Sequence, residues 1–177
     1  ADEIQSGIGR TGRLHAFEHF GLEPDIVILA KGIGGGLPLG AILGNERVQD
    51  VFSYGEHGST FGGNPVAAAS GIVVFNELSN GMLSRNGQLG GFLLKGLKTL
   101  KNRYPEKIKD IRGLGLMLGI EMVKPVHNMV EDFLKLDILV NGTNENVIRL
   151  LPPFIITETE INLFLEKFDF LLSSKQT

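Results

Sequence analysis

Residues 24–41 read PDIVILAKGIGGGLPLGA, and this stretch decides the predicted fold class of the chain. Proline and aspartate introduce a short apolar run at residues 26–30, which has the length and composition of a β-strand. The run lacks polar alternation, which is typical of a strand buried on both faces, as in a parallel sheet. The strand ends at Lys31, and a glycine-rich turn over residues 32–36 follows at once.

Lys31 is the residue in this stretch that points to chemistry. A lysine delivered into a glycine-rich turn lies in a confined, backbone-lined site, where its amine can be desolvated, lose a proton near neutral pH and attack a carbonyl. The alternative is a solvated surface lysine, which is the usual state of this residue. A Walker-type phosphate loop fits poorly, because there the lysine follows the glycines and precedes Ser or Thr.

Composition limits the classes of function. The chain has 177 residues, of which 42% are apolar and 21% charged, as in a globular protein of one ordinary domain or two small ones. A net charge of −3 gives no reason to expect nucleic acid or an acidic membrane surface as a partner. Cysteine is absent, so disulfides, thiolate metal sites and cysteine nucleophiles are excluded, and we expect no metal site. No apolar run approaches the ~18–20 residues of a membrane helix.

Two segments near the start of the chain carry candidate site residues. If residues 1–2 end a buried strand, Asp2 emerges at the carboxyl edge of the sheet, where α/β proteins bind ligands, and Gln5 follows it. A helix-capping Asp and a surface Gln are the alternative. Residues 7–12, GIGRTG, match the dinucleotide fingerprint, but Glu23 and Asp25 begin the next strand and do not close it as that fingerprint requires.

Thr60 and Arg149 are the candidates further along the chain. Thr60 lies in HGSTFGGNP, a glycine-rich loop whose hydroxyl and backbone N–H groups suit an anion. A flexible loop is the alternative. Arg149 is embedded in the apolar segment VIRLL, where its planar fork matches a carboxylate. The alternative for Arg149 is a structural ion pair with Glu121 or Asp110.

The rest of the sequence alternates helices and strands. Asn64 and Pro65 predict the start of a helix over residues 66–78, and a second helix over about 83–103 ends at Tyr104-Pro105. Strands are predicted over residues 108–112, 116–122, 138–141 and 147–151, with helices over 129–136 and 158–172. The predicted fold is an α/β part with parallel-type strands over residues 1–80, followed by a small α+β domain over residues 81–177.

Five ordered segments together resemble one family. DEIQSGIGRTG, PDIVILAKGIGGGLPLGA, HGSTFGGNPVAAA, IRGLGLMLGIEM and VIRLLPPFIIT span residues 2–157 and resemble the class III, fold-type I aminotransferases, most closely the acetylornithine group. The resemblance implies pyridoxal 5′-phosphate (PLP) as cofactor. It also implies that residues 1–80 are the C-terminal part of the PLP-binding large domain and that residues 81–177 are the small domain.

The resemblance implies a role for each candidate. Lys31 would hold PLP as a Schiff base and move a proton between substrate and cofactor. Asp2 would pair with the pyridine nitrogen, and Gln5 would lie near the phenolic oxygen. Thr60 would bind the phosphate of the neighbouring subunit's cofactor in a homodimer. Arg149 would hold the substrate carboxylate.

The implied reaction moves an amino group from N-acetylornithine to 2-oxoglutarate in arginine biosynthesis, in the cytoplasm. Ornithine, succinylornithine and 4-aminobutyrate aminotransferases are close alternatives. A NAD-binding oxidoreductase using residues 7–12 and a non-catalytic fragment are alternatives from other classes. Family members extend much further on the N-terminal side. We therefore expect this chain to be a piece of a longer protein, cut near the end of a strand, with little activity by itself.

Overall fold

The computed structural model describes residues 1–174, in which the chain forms two compact units. The first unit is Ala1–Arg85, and the second begins at Asn86. The elements of the first unit are, in order, a 3₁₀ helix Ala16–Phe20, β1 Ile26–Leu29, a 3₁₀ helix Lys31–Gly34, β2 Ala41–Gly44 and α1 Pro65–Glu77. The predicted boundary between the two domains, at residues 80 and 81, lies close to the division between these units.

The strand β1 departs from the sequence prediction in both its pairing and its burial. Its main partner is β2, which runs antiparallel to it, and its parallel pairing is limited to one bridge between Asp2 and Ile28. Val27 and Leu29 are buried, whereas Ile26 is 43% and Ile28 is 38% exposed. The prediction of burial on both faces is therefore wrong for this chain, because no element within residues 1–174 covers the second face of β1.

The uncovered face of β1 and β2 is part of a wide groove of about 1120 Å³. Exposed apolar side chains of the two strands and of the following loop line it: Ile26, Ile28, Ile42, Val51, Phe52 and Phe61. Residues 45–64, which follow β2, contain neither an α-helix nor a strand. The first unit thus presents an apolar surface much larger than the scattered apolar contacts of an ordinary protein surface.

Helix α1 begins as its sequence predicts. The side chain of Asn64 accepts hydrogen bonds from the backbone N–H groups of Val66 and Ala67, at 2.9 and 3.2 Å. Pro65 takes the first helical position, where its missing N–H costs nothing. The predicted break after α1 is a kink within Leu78–Met82, where Gly81 has a φ of +107°, a conformation that glycine adopts readily.

Helix α2, Leu83–Arg103, follows this kink and ends before Tyr104 and Pro105, as predicted. Among the described residues, one helical run, Pro65–Arg103, is long enough and contains a stretch apolar enough to be a candidate membrane span. The sequence analysis found no such run, because the apolar residues of this stretch are interspersed with polar ones. Since Asn80 and Gly81 interrupt the helical backbone, this is weak evidence for a span.

The second unit is a four-stranded antiparallel sheet with helices on one face. Its strands, in the spatial order β3-β4-β6-β5, are β3 Ile108–Leu114, β4 Met117–Met122, β5 Asn141–Thr143 and β6 Val147–Leu150. The other helices of this unit are α3 His127–Lys135 and α4 Glu158–Ser173. The strand predicted over residues 138–141 begins only at Asn141, because Ile138 and Val140 pack against the core before pairing with β6 starts.

The core of the second unit lies between this sheet and its helices. Leu118 and Ile120 of β4 and Ile148 of β6 are buried against the leucines of α2. Phe133 of α3 stacks on the ring of Phe164 in α4, with ring centroids 5.5 Å apart, and its ring lies tilted by 39° to that of Phe168 at 5.6 Å. Helix α4 begins with a capping box, in which Thr157 and Glu160 exchange hydrogen bonds. The opposite face of the sheet carries polar and charged residues.

Candidate active site

Lys31 follows directly on β1 and opens the 3₁₀ helix Lys31–Gly34. Its φ is +52°, a left-handed conformation that is uncommon for a residue with a side chain and is enriched at functional sites. The residue is exposed in this chain. The sheltered, backbone-lined setting expected from the sequence is therefore incomplete, although the strained backbone sets this lysine apart from an ordinary surface lysine.

The turn that carries Lys31 is held against α1. The hydroxyl of Ser70 donates a hydrogen bond of 2.8 Å to the carbonyl oxygen of Gly34. A Cβ on Gly71 would lie 3.1 Å from the carbonyl oxygen of Ile33, so a larger residue in this part of α1 would push the helix away from the turn. This close approach explains the small residues of the segment AAASG. It also holds the turn that contains Lys31 in place.

Asp2 lies beside β1, and the backbone at Asp2 runs parallel to that strand. Its parallel bridge with Ile28 is supported by hydrogen bonds of 2.9 Å from Ile28 N–H to the Ala1 carbonyl and from Glu3 N–H to the Ile28 carbonyl. Because neighbouring parallel segments leave a sheet at the same edge, Asp2 and Lys31 are delivered to one side of it. The Asp2 carboxylate accepts a 3.0 Å hydrogen bond from Ile4 N–H, and the half-buried Gln5 lies in the turn that follows.

Glu3 is a site-supporting residue that the sequence analysis missed. It is only 3% exposed, and its carboxylate accepts hydrogen bonds from the Ser6 hydroxyl and from the backbone N–H groups of Ala16 and Phe17, at 2.8, 3.0 and 2.9 Å. These bonds hold the segment after Asp2 and Gln5 in a fixed position. No local sequence signal identifies this role, because its two backbone partners lie 13 and 14 residues away.

Residues 7–12 do not form a dinucleotide-binding turn. They lie in consecutive turns, and the next helix is the five-residue 3₁₀ helix Ala16–Phe20, so no α-helix opens inside the fingerprint as nucleotide binding requires. Burial lowers the pKa of the Arg10 guanidinium in this segment. The glycines here belong to these turns, in which Gly9 and Gly12 have φ values of +81° and +87°.

Thr60 lies on the exposed loop that precedes α1. Its neighbours Ser59 and Phe61 line the wide groove beside β1 and β2. Thr60 has no described contact with Asp2, Gln5 or Lys31, so its predicted phosphate-binding role stays a prediction.

Arg149 lies on β6, on the sheet face opposite the core. It is half-buried, and its Nε atom is fully buried without a hydrogen-bond partner among the described residues. The proposed structural ion pairs do not form. Glu121 is bound by Lys109 and Arg112 at 2.7 and 2.6 Å, and Asp110 is bound by Lys101 at 3.2 Å. A half-buried guanidinium without a carboxylate partner is a candidate site for an anionic ligand, because burying an unpaired charge is costly.

Comparisons with known proteins assign this arrangement to a family. The family described as "Aminotransferase class-III" matches residues 1–172. The chain belongs to the class-III aminotransferase family. Members of this family are PLP-dependent enzymes, and the resemblance drawn from the five sequence segments is confirmed.

Named relatives agree with this assignment. The chain is 46% identical over 174 residues to the acetylornithine aminotransferase of Caldanaerobacter subterraneus, covering 97% of this chain and 44% of that protein. It is 46% identical over 173 residues to that of Prochlorococcus marinus, covering 95% of this chain and 41% of that protein. The chain thus spans less than half the length of the curated relatives it matches.

Solved structures show the same fold. The ornithine δ-aminotransferase of Plasmodium falciparum superposes with a TM-score of 0.89 at 34% identity, covering 97% of this chain and 46% of that one. The acetylornithine aminotransferase of Elizabethkingia anophelis superposes with a TM-score of 0.88 at 33% identity, covering 96% and 44%. The mixed α/β architecture of this chain is therefore that of class-III aminotransferases.

The residues at the sheet edge fit PLP chemically. A primary amine can condense with the cofactor's aldehyde, and a carboxylate can pair with its ring nitrogen. Lys31 and Asp2 supply these two groups at one edge of the sheet, and Lys31 lies three positions after Ile28, the bridge partner of Asp2. At about 3.3 Å per extended residue this leaves roughly 10 Å along the strand, enough for a pyridine ring between the two side chains.

Proposed function

We propose that this chain supplies the C-terminal part of an aminotransferase that moves an amino group from N-acetylornithine to 2-oxoglutarate. The observation that carries the proposal is the delivery of Lys31, with its left-handed backbone, and Asp2 to one sheet edge. The identity of 46% to acetylornithine aminotransferases supports the donor. Bound PLP supplies an electron sink for the electrons of the substrate's Cα–H bond.

Each candidate residue has a physical task in this proposal. Lys31 would hold the cofactor covalently and would also move the proton between the substrate Cα and the cofactor C4′ atom. Asp2 keeps the pyridine nitrogen protonated, and Gln5 donates to the phenolic oxygen. Thr60 binds the cofactor phosphate of the neighbouring subunit in a homodimer. Arg149 orients the substrate by binding its α-carboxylate through two parallel hydrogen bonds.

The proposal also explains the incomplete site. Lys31 is exposed, and the apolar groove along β1 and β2 is uncovered in this chain. In the proposed enzyme, the N-terminal part of the large domain and the second subunit cover these surfaces and exclude water from the site. We infer that the chain by itself has little or no transaminase activity, and that the complete enzyme acts in arginine biosynthesis in the cytoplasm.

The function is tested by comparing the complete enzyme with the isolated chain. We expect the complete enzyme to consume N-acetylornithine and 2-oxoglutarate and to form glutamate, at a kcat/KM above that for ornithine, succinylornithine or 4-aminobutyrate. If the complete enzyme preferred ornithine, then ornithine would replace N-acetylornithine as the proposed donor. That result would agree with the likeness to ornithine aminotransferase structures. Tight NAD binding without transamination would refute the proposal. A normal rate from the isolated chain would refute its expected inactivity.

Replacing Arg149 with lysine in the complete enzyme tests the carboxylate-binding role. Lysine keeps the positive charge but loses the planar fork, so we expect the KM of both carboxylate substrates to rise about tenfold or more, as for a lost charged hydrogen bond. Steady-state kinetics with each substrate varied in turn measure the effect.

Arg103 offers a matched control for this substitution. It forms an ion pair with Asp169 at 2.6 Å elsewhere in the same unit, and its side chain is 55% exposed. The variant Arg103→Lys should leave both KM values unchanged. An Arg149→Lys enzyme with unaltered KM for both substrates would remove Arg149 from the site.

A further inference from the structure

Three asparagines of this chain are followed directly by glycine: Asn80, Asn86 and Asn141. In such a pair the backbone nitrogen of the glycine can attack the side-chain amide of the asparagine, and glycine favours the attack because it has no Cβ to hinder the approach. Asparagine is for this reason a thermally labile residue. The three pairs are equivalent in sequence, so backbone conformation and exposure decide which of them reacts.

The pair Asn80-Gly81 lies in the kink that follows α1. Both residues are exposed, and both have left the helical conformation, with φ −81° and ψ +23° at Asn80 and φ +107° and ψ −10° at Gly81. The N–H of Leu83 donates to the carbonyl oxygen of Leu78, so this backbone hydrogen bond passes over the pair. A Cβ on Gly81 would meet no atom within 4 Å. The Asn80 backbone can therefore rotate toward the reactive geometry without disturbing packed neighbours.

The pair that begins at Asn86 lies inside helix α2, and Asn86 is 0% exposed. The next residues on the buried side of this helix, Leu89 and Gly90, are buried as well. Rotation of the Asn86 backbone toward the glycine nitrogen would open the helix and lift the side chain out of the protein interior. Such a local opening is rare in a packed helix, so Asn86 is protected.

The pair Asn141-Gly142 is exposed but is held in strand β5. Asn141 lies opposite Arg149 and Gly142 opposite Ile148 in the ladder with β6. Rotation at Asn141 would break this pairing. However, β5 has only three residues and lies at the edge of its sheet, so it opens more readily than a buried helix. We expect protection of Asn141 to be intermediate.

We propose that Asn80 is a site of spontaneous deamidation, selected among the three Asn-Gly pairs by the kink after α1. The Gly81 nitrogen loses its proton to base in the solvent and forms a bond to Asn80 Cγ, and the Cγ–Nδ2 bond breaks with release of ammonia. Water then opens the resulting cyclic imide at one of its two C–N bonds. Opening at Cγ leaves aspartate, and opening at the backbone carbonyl leaves isoaspartate. No cofactor, substrate or oxidant takes part.

Both products disturb the kink. Each places a carboxylate just after α1, which ends at Glu77, and the dipole of a helix disfavours negative charge at its C-terminal end. Isoaspartate also adds a methylene group to the backbone between Leu78 and Leu83, the two residues that the hydrogen bond across the kink joins. The modified protein should therefore unfold at a lower temperature than the unmodified one.

The test follows all three asparagines in one sample of the complete enzyme. After incubation in mildly alkaline buffer, peptide mass spectrometry measures the conversion of each side-chain amide to an acid. We expect Asn80 to convert at least about tenfold faster than Asn86, with Asn141 between them, because a reactive conformation that is tenfold less populated reacts tenfold more slowly. In denaturant the three rates should converge, since the reacting pair is the same in each case.

Conversion of Asn86 or Asn141 as fast as that of Asn80 in the folded enzyme would overturn the selection by the kink. An Asn80 that stays intact while the unfolded chain converts would overturn it too. The matched control for the effect on stability is Asn80→Gln, whose side chain would have to close a larger ring and so reacts more slowly. Incubation should lower the unfolding temperature of the unsubstituted enzyme and leave that of Asn80→Gln unchanged. Equal unfolding temperatures after complete conversion of Asn80 would refute the disturbance of the kink.

Discussion

Replacing Lys31 with alanine in the complete enzyme is expected to lower the rate of transamination by at least about a thousandfold. In the proposed function Lys31 is both the amine that holds the cofactor and the base that moves the proton at the substrate Cα, and the substitution would remove both. A positioned general base alone contributes about 10²–10⁴ in rate. Product formation in a coupled glutamate assay, and the absorbance of protein-bound cofactor, measure the two losses separately.

Two further lysine substitutions make this prediction specific. Lys31→Arg keeps a positive charge but cannot condense with an aldehyde, so we expect it to be as inactive as Lys31→Ala. Lys98→Ala changes an exposed lysine of α2 and should have the activity of the unsubstituted enzyme. Borohydride reduction of the unsubstituted complete enzyme should leave a phosphopyridoxyl group covalently bound to the peptide that contains Lys31. Amino-group exchange persisting in Lys31→Arg would overturn the whole assignment.

Replacing Gly90 with alanine is expected to destabilise the second unit, although alanine has the higher helix propensity of the two residues. Gly90 lies inside α2, where alanine is intrinsically favoured over glycine by about 1 kcal/mol. However, a Cβ at this position would lie 2.3 Å from the carbonyl carbon and oxygen of Gly115, between β3 and β4. Backbone atoms cannot rotate away, so we expect a net loss of about 2–3 kcal/mol, at the upper end for overpacking.

The next residue, Gly91, provides a control for which we expect the opposite change in the free energy of unfolding. Gly91 is exposed on the same helix, and a Cβ there would meet no atom within 4 Å. Gly91→Ala should therefore stabilise the protein by about 0.5–1 kcal/mol. Chemical denaturation of both variants under the same conditions gives the two free energies of unfolding. Equal effects of the two substitutions would show that the approach of α2 to Gly115 is looser than the structure indicates.

Local signals in the sequence located most helix ends correctly. Asn64 and Pro65 start α1, Tyr104 and Pro105 follow the end of α2, and Thr157 caps α4. Each signal works through backbone groups within a few residues of it. A capping side chain satisfies nearby N–H groups, and a proline prevents the helix from continuing, so the tertiary structure is not needed to predict the result.

The sequence was less informative wherever the structural partner of a residue lies far away along the chain. The apolar run of β1 suggested burial on both faces, but the run alone does not specify which elements cover a strand. The role of Glu3 depends on Ala16 and Phe17, which the folded chain brings to its carboxylate. Ordered motifs nevertheless identified the family, because five segments in the right order are far more specific than any one of them.

The sequence by itself determined most helix ends, the family and the candidate residues Asp2, Gln5, Lys31, Thr60 and Arg149. Only the tertiary structure decided the left-handed backbone of Lys31, the shared sheet edge of Asp2 and Lys31, and the pairing of Glu121 with Arg112 in place of Arg149. The physical reason is strand register. The pairing of β3 with β4 brings Lys109 and Arg112 to the Glu121 carboxylate, and this register is not visible in the order of residues along the chain.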